Sequence, residues 1–181
     1  AFHGCKSLVK ADLTQNVETI GSGAFSYTAL KTVVIPSSVK AIDGSAFSDL
    51  QLDSFIMEDG DDEIDAASTY TWPICQSSSV DSVYMGRRIK DNFTLSQKFF
   101  ERSVKKIGFG PIYTEIPDNM CSVFESLASV GLPETCTKIG KSAFDDCKSL
   151  TEITLPESLR VIDNNAFQGC KSLAKADSTP N

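Results

Sequence analysis

The chain has 181 residues, a hydrophobic fraction of 41%, a net charge of -7 and a pI near 4.7. That apolar content is enough for a packed core and excludes a disordered segment, and the length fits one domain or two. The acidic balance argues against a nucleic-acid partner, because a phosphate backbone is bound by clustered Lys and Arg.

The densest basic runs, Arg87-Arg88-Ile89-Lys90 and Lys105-Lys106, are short. No run of 18 apolar residues exists, so no membrane span is expected. No signal peptide is visible, and the chain opens at Ala1-Phe2, which is the middle of a repeat. A trimmed or mature fragment is therefore expected, with any targeting segment lost.

The first predicted element is a turn, Ala1-Phe2-His3-Gly4-Cys5-Lys6-Ser7-Leu8. It recurs almost unchanged as Ala143-Phe144-Asp145-Asp146-Cys147-Lys148-Ser149-Leu150 and as Ala166-Phe167-Gln168-Gly169-Cys170-Lys171-Ser172-Leu173. Shorter versions run from Ala24-Phe25 to Leu30 and from Ala46-Phe47 to Leu52. The closing residues are Leu8, Leu30, Leu52, Val80, Val104, Leu127, Leu150 and Leu173, spaced by 22, 22, 28, 24, 23, 23 and 23 residues.

After each closing residue a strand is predicted. Three positions on stand Ala11, Val33, Phe55, Val83, Ile107, Val130, Ile153 and Ala176, all apolar. Five positions on stand Leu13, Ile35, Met57, Met85, Phe109, Leu132, Leu155 and Ser178, and only the last is polar. The two series alternate as on a β-strand, pointing the same way. A Pro or Gly often follows and ends the strand. Next come pairs such as Val17 and Ile20, Val39 and Ile42, Cys136 and Ile139, and Leu159 and Ile162, giving two more inward contacts per coil. One coil cannot bury its apolar face alone. Stacked coils bury a continuous core and pair their strands in parallel. With strands about 4.8 Å apart, eight rungs would span roughly 35–40 Å.

The pattern is degenerate between residues 53 and 126. The 28-residue step carries the acidic run Glu58-Asp59-Gly60-Asp61-Asp62-Glu63-Ile64-Asp65 and then Tyr70-Thr71-Trp72-Pro73. Residues 58–73 are expected to bulge from the coil. An EF-type calcium loop would need alternating ligands, Gly at its sixth position and Glu at its twelfth, which this run lacks. A solvated acidic turn is the expectation. Trp72 is either a substitute for the missing Ala-Phe in the core or an exposed binding anchor. Asn92-Phe93-Thr94 matches a glycosylation acceptor, a triplet that arises often by chance. In Met120-Cys121-Ser122-Val123-Phe124 a large residue moves from one inward slot to its neighbour, a swap that cores tolerate.

The six cysteines follow the repeat frame and are expected to be free and buried. Cys147 and Cys170 should sit one above the other, with a geometry poorly suited to a bond. No zinc site is expected, since there is no C-x-x-C pair and His3 is the sole histidine. Nucleophilic catalysis needs a base beside the nucleophile, and no phosphate-binding Gly loop appears, so no enzyme and no cofactor are expected.

Residues between the inward positions should face outward from the sheet. One outward series runs Thr32, Ser54, Ser82, Lys106 and Ser129, the other Val34, Ile56, Tyr84, Gly108 and Gly131. Val34, Ile56 and Tyr84 fall on consecutive rungs and would form an exposed apolar stripe, though such residues also simply favour strands. The candidate partner-binding residues are therefore Val34, Ile56, Tyr84, Thr32, Ser54, Ser82 and Trp72. The acidic run nearby would favour a basic partner.

The pattern A-F-x-x-C-x-S-L-x-x-[IV]-x-[IL]-P-x-S-[VL]-x-x-I, carried from Ala1 to about Asp177, resembles the BspA-type leucine-rich repeat. The resemblance implies a single repeat solenoid over residues 1–181, with about eight coils. Its parallel sheet would lie on the concave face, with turns and short irregular or helical segments on the convex one. It also implies a secreted or surface protein of bacteria, concerned with adhesion or protein binding. Three functions remain open: a protein-binding module, a structural spacer that projects another domain, and a carbohydrate-binding module.

Overall fold

The computed structural model describes residues 1–66, 74–90, 95, 100 and 103–178. The predicted rungs become β2 (Thr32–Ile35), β4 (Gln51–Met57), β5 (Ser79–Met85), β6 (Lys106–Phe109), β8 (Ser129–Gly131), β10 (Glu152–Leu155) and β12 (Lys175–Ser178). The first five pair in parallel in the order β2-β4-β5-β6-β8, and β10 pairs with β12. Their register is the one the repeat frame requires. Val33 faces Phe55, then Val83, Ile107 and Val130, and Ile153 faces Ala176. Residues around Ala11 and Leu13 continue the frame without a strand.

The opposite side of each coil was expected to hold turns and irregular or helical segments. The turns are there, and between them runs a second row of two-residue parallel strands. It consists of β1 (Thr19–Ile20) with β3 (Ala41–Ile42), and of β7 (Glu115–Ile116), β9 (Lys138–Ile139) and β11 (Val161–Ile162). The second residue of each V-x-x-I pair lies on these strands, which is why the spacing recurs so faithfully.

Each turn works by the same backbone device. The residue before the Ala position is left-handed at Gly23, Ser45, Asn119, Ser142 and Asn165, with φ between 52° and 63°. The residue three past the Ala position is left-handed at Gly4, Tyr27, Asp49, Ser77, Val123, Asp146 and Gly169. These reversals let the Phe position donate its N–H to the next coil. Phe25 donates to Ala46 O at 2.8 Å, Cys121 to Ala143 O at 2.8 Å and Phe144 to Ala166 O at 2.8 Å. Residues Met120 to Leu127 are thus a true turn of the solenoid, with Met120 and Phe124 buried.

Phe47 donates to Ile74 O at 2.9 Å, so Ile74 and Cys75, both buried, fill the slots of the missing Ala-Phe. Trp72, proposed for that role, and Asn92-Phe93-Thr94 lie outside the described residues.

The core is one continuous apolar column. Phe25 and Phe47 stack at 5.3 Å, and Phe55 meets Phe47 and Phe100 edge-on at 5.6 and 5.3 Å. Offset and edge contacts of this kind are the favourable ones for aromatic rings. At the ends, Phe2, Val9, Val161 and Ile162 are exposed, and Val17 and Leu159 are only partly buried.

All six cysteines are free. Cys75, Cys121, Cys136 and Cys147 are buried as expected, and burial pushes the Cys75 and Cys121 thiols up. Cys147 Sγ donates to Cys121 O at 3.3 Å and Cys170 Sγ to Phe144 O at 3.1 Å. Cys5, which is exposed, and Cys170, which is only partly buried, depart from the expectation: each lies in an outermost described turn, stacked on one side only.

Candidate binding surface

The long sheet buries one face and exposes the other. β2 alternates outward and buried residues from Thr32, and β4 and β5 do the same from Ser54 and from Ser82 onward, after a break in the alternation at Asp53-Ser54 and Asp81-Ser82. The outward residues line up across the strands in two rows. Thr32, Ser54, Ser82, Lys106 and Ser129 are partners in register, and so are Val34, Ile56, Tyr84, Gly108 and Gly131. Val34 is 37% exposed, and Ile56 and Tyr84 are half-buried against their neighbours. In the polar row Ser54 Oγ donates to Thr32 Oγ1 at 3.1 Å. Every described residue of the predicted set therefore sits on one face, in two adjacent rows.

Tyr84 lies down on the sheet. A Cβ added to Gly108 would stand 3.2 Å from the Tyr84 ring, and one on Gly110 would stand 3.1 Å from its hydroxyl. The hydroxyl donates to Asp59 Oδ1 at 2.9 Å. Burial first, and then the Asp59 carboxylate, hold the Tyr84 phenol above its ordinary value, since both disfavour the phenolate.

Asp59 belongs to the acidic turn, which is more structured than a solvated run. Glu58 accepts from Gln15 Nε2 at 2.9 Å and from the Ser37 N–H at 3.1 Å. Asp61, Asp62 and Glu63 remain exposed. Among the described residues no group of three His, Cys, Asp or Glu side chains is placed to hold a metal ion.

The feature that sequence reasoning missed is Arg87. It was read as part of a short basic run, yet it is 1% exposed. Its guanidinium donates to Val39 O at 2.6 Å, to Pro36 O at 2.9 Å and to Ser37 O at 3.1 Å. The Arg87 stem passes beneath the acidic turn, where a Cβ on Gly60 would stand 2.7 Å from Cδ. Burial lowers the Arg87 value, and Asp62 and Glu58 offset part of that. Tyr113, buried beside Phe109, donates its hydroxyl to Arg87 O at 2.8 Å. The missing signal was the lack of any apolar residue in Gly60-Asp61-Asp62, at the place Val39 holds one coil earlier. Something had to fill that space.

A groove of about 690 Å³ runs along the second strand row, between Glu63 and Arg88 on one side and Glu115, Asp118 and Lys138 on the other. Its charges are mixed, and Lys138 already pairs with Asp163 at 3.3 Å. Among the described residues no helix is long and apolar enough to cross a membrane.

No curated protein matches the chain. Two solved structures resemble it. One is a leucine-rich repeat protein from Bacteroides ovatus ATCC 8483, 22% identical, with a TM-score of 0.42, covering 97% of this chain and 68% of its own. The other is a leucine rich cell surface protein from Faecalibacterium prausnitzii A2-165, also 22% identical with a TM-score of 0.42, covering 90% of this chain and 43% of its own. The BspA type leucine rich repeat region matches residues 1–77 and 94–181 in 6 copies, in agreement with the ladder register above. The chain belongs to the BspA-type leucine-rich repeat family.

Proposed function

We propose that the chain is a non-catalytic protein-binding module of a secreted or cell-surface bacterial protein. It recognises its partner through the outer face of the long sheet. The observation that carries this reading is the in-register stripe of Val34, Ile56 and Tyr84 on three adjacent strands. Strand side chains one rung apart touch, so the three act as one apolar surface. The polar row of Thr32, Ser54 and Ser82 flanks it, and the acidic turn borders it through the bond from Tyr84 to Asp59. A small apolar centre with a polar rim is the usual anatomy of a protein interface. The negative border favours a basic partner and a salt-sensitive on-rate.

The test is capture of surface proteins on immobilised chain, beside a variant with Val34, Ile56 and Tyr84 all changed to Ser. A partner retained by the natural chain and lost by the folded variant supports the reading. Equal capture by both, or capture by neither, sinks it and leaves the spacer function in its place.

A further inference from the structure

The stripe ends abruptly at Tyr84. The next two rungs carry Gly108 and Gly131 in the same row. Glycine in a strand costs backbone entropy and leaves nothing to pack, and it often marks a bend or a place where something approaches the backbone closely. For most strand-side glycines here that neighbour belongs to the chain. A Cβ on Gly86 would stand 2.4 Å from Met57 O, and one on Gly110 would stand 2.4 Å from Asp59 Oδ1. At Gly108 the neighbour is the Tyr84 ring. Gly131 has no such occupant. A Cβ there would meet only Gly108 Cα at 3.7 Å and Ile107 O at 3.9 Å, which is ordinary contact.

The outer face therefore has a bare floor at Gly131, walled on one side by the Tyr84 ring lying over Gly108. The floor carries no side chain on either rung, where Gly108 and Gly131 pair across β6 and β8. Asp59 reaches the far end of the same wall, where it takes the Tyr84 hydroxyl and crowds Gly110. Gly108 and Gly110 are two residues apart on one chain, roughly 7 Å in extended geometry. Gly131 stands one rung, about 4.8 Å, beyond Gly108, so the carboxylate and the bare floor are roughly 8 Å apart on the diagonal, within reach of side chains at alternate positions of an extended peptide, which point to the same side.

Resting on the protein-binding reading above, we propose that the partner presents an extended segment with an aromatic residue and a Lys or Arg two positions apart. The aromatic ring lies on the floor at Gly131 against Tyr84, and the cation meets Asp59 at the border of the acidic turn. Aromatic rings pair favourably in offset or edge geometry, and a desolvated cation beside both a carboxylate and a ring gains from each.

The experiment uses the 181-residue chain and three fluorescein-labelled peptides. Their sequences are Gly-Ser-Trp-Ser-Arg-Ser-Gly, the same with Glu for Arg, and the same with Ala for Trp. Polarisation is read at low salt. The first peptide should bind at least about tenfold more tightly than either of the others, a difference worth about one decade in Kd. Gly131→Val places a strand-favouring side chain in open space, so its melting curve should match the natural chain while its affinity falls about tenfold or more. Asp59→Asn should weaken the Arg peptide and leave the Glu peptide no weaker. Equal binding of the three peptides, or full binding by Gly131→Val, overturns the proposal. If the triple Ser variant loses a captured partner while Gly131→Val keeps it, the stripe reading stands and this inference falls. If both lose it and the peptides rank as stated, both stand.

Discussion

The coil from Ala143 to Ile162 and the coils from Leu52 to Lys90 solve the same problem by opposite means. In the first, every inward slot is apolar. Ala143, Phe144, Cys147, Leu150 and Ile153 are buried, with Phe144 stacked on Phe167 at 5.4 Å and Ile153 in register with Ala176 one coil on. In the second, the place held by Val39 has no apolar successor. A guanidinium from Arg87 fills it and satisfies three carbonyls of an earlier coil. The ladder fixes where the backbone runs, and the filler is negotiable provided that volume and hydrogen bonds are both supplied.

The largest expected effect sharpens this contrast. Arg87→Ala leaves the Pro36, Ser37 and Val39 carbonyls without their donor and opens a cavity, for a loss of about 3 kcal/mol or more. Arg87→Lys restores the charge without the planar fork and should recover less than half of that. A matching cut in the regular part, Ile139→Val, should cost only about 1 kcal/mol. Urea midpoints of the three variants decide the matter, and equal losses would break the comparison.

Next come two glycines on the same sheet. Gly86→Ala puts a Cβ 2.4 Å from Met57 O, a backbone atom that cannot step aside, and should cost about 2 kcal/mol. Gly131→Ala meets only ordinary contacts and should stay within about 0.5 kcal/mol of the natural chain.

A smaller gain is expected at Val123. It is a β-branched residue at φ 62°, in the slot where Gly4 and Gly169 sit in the end turns. Val123→Asn should raise stability by roughly 1 kcal/mol, read as a higher melting temperature. An unchanged or lower melting point would mean that the partly buried Val123 side chain outweighs its strain.

The smallest effect is a titration. The folded Tyr84 phenol lies above 10, so its contribution is complete below pH 10 and is lost as pH rises through the folded value. Asp59→Asn should move that titration back toward 10, in an absorbance difference taken against Tyr84→Phe. No movement would separate Asp59 from the Tyr84 site.

The repeat frame was legible because its inward residues obey two exact spacings. The positions read as inward, from Val33 to Val130, are buried and in register. The outward rows followed from the same alternation, so Val34, Ile56 and Tyr84 were placed correctly on one face. What escaped was chemistry that crosses coils. Nothing local in Arg87-Arg88-Ile89-Lys90 distinguishes a buried guanidinium from a solvated one, since its acceptors lie about fifty residues earlier. The second strand row escaped for a related reason. Two-residue strands are too short for an alternation to be read, and their pairing is imposed by the stacking.

The Arg87 clamp has a mechanical consequence. A solenoid pulled from its ends releases one coil at a time when each coil touches only its neighbours. A coil of 23 residues would lengthen the chain by roughly 75 Å per rupture. Arg87 ties the coil of Pro36 and Val39 to its own, across the acidic turn between them, so those coils should let go together. A force trace would then show a sawtooth of even teeth interrupted by one long tooth, and Arg87→Ala would cut that tooth into pieces of ordinary length.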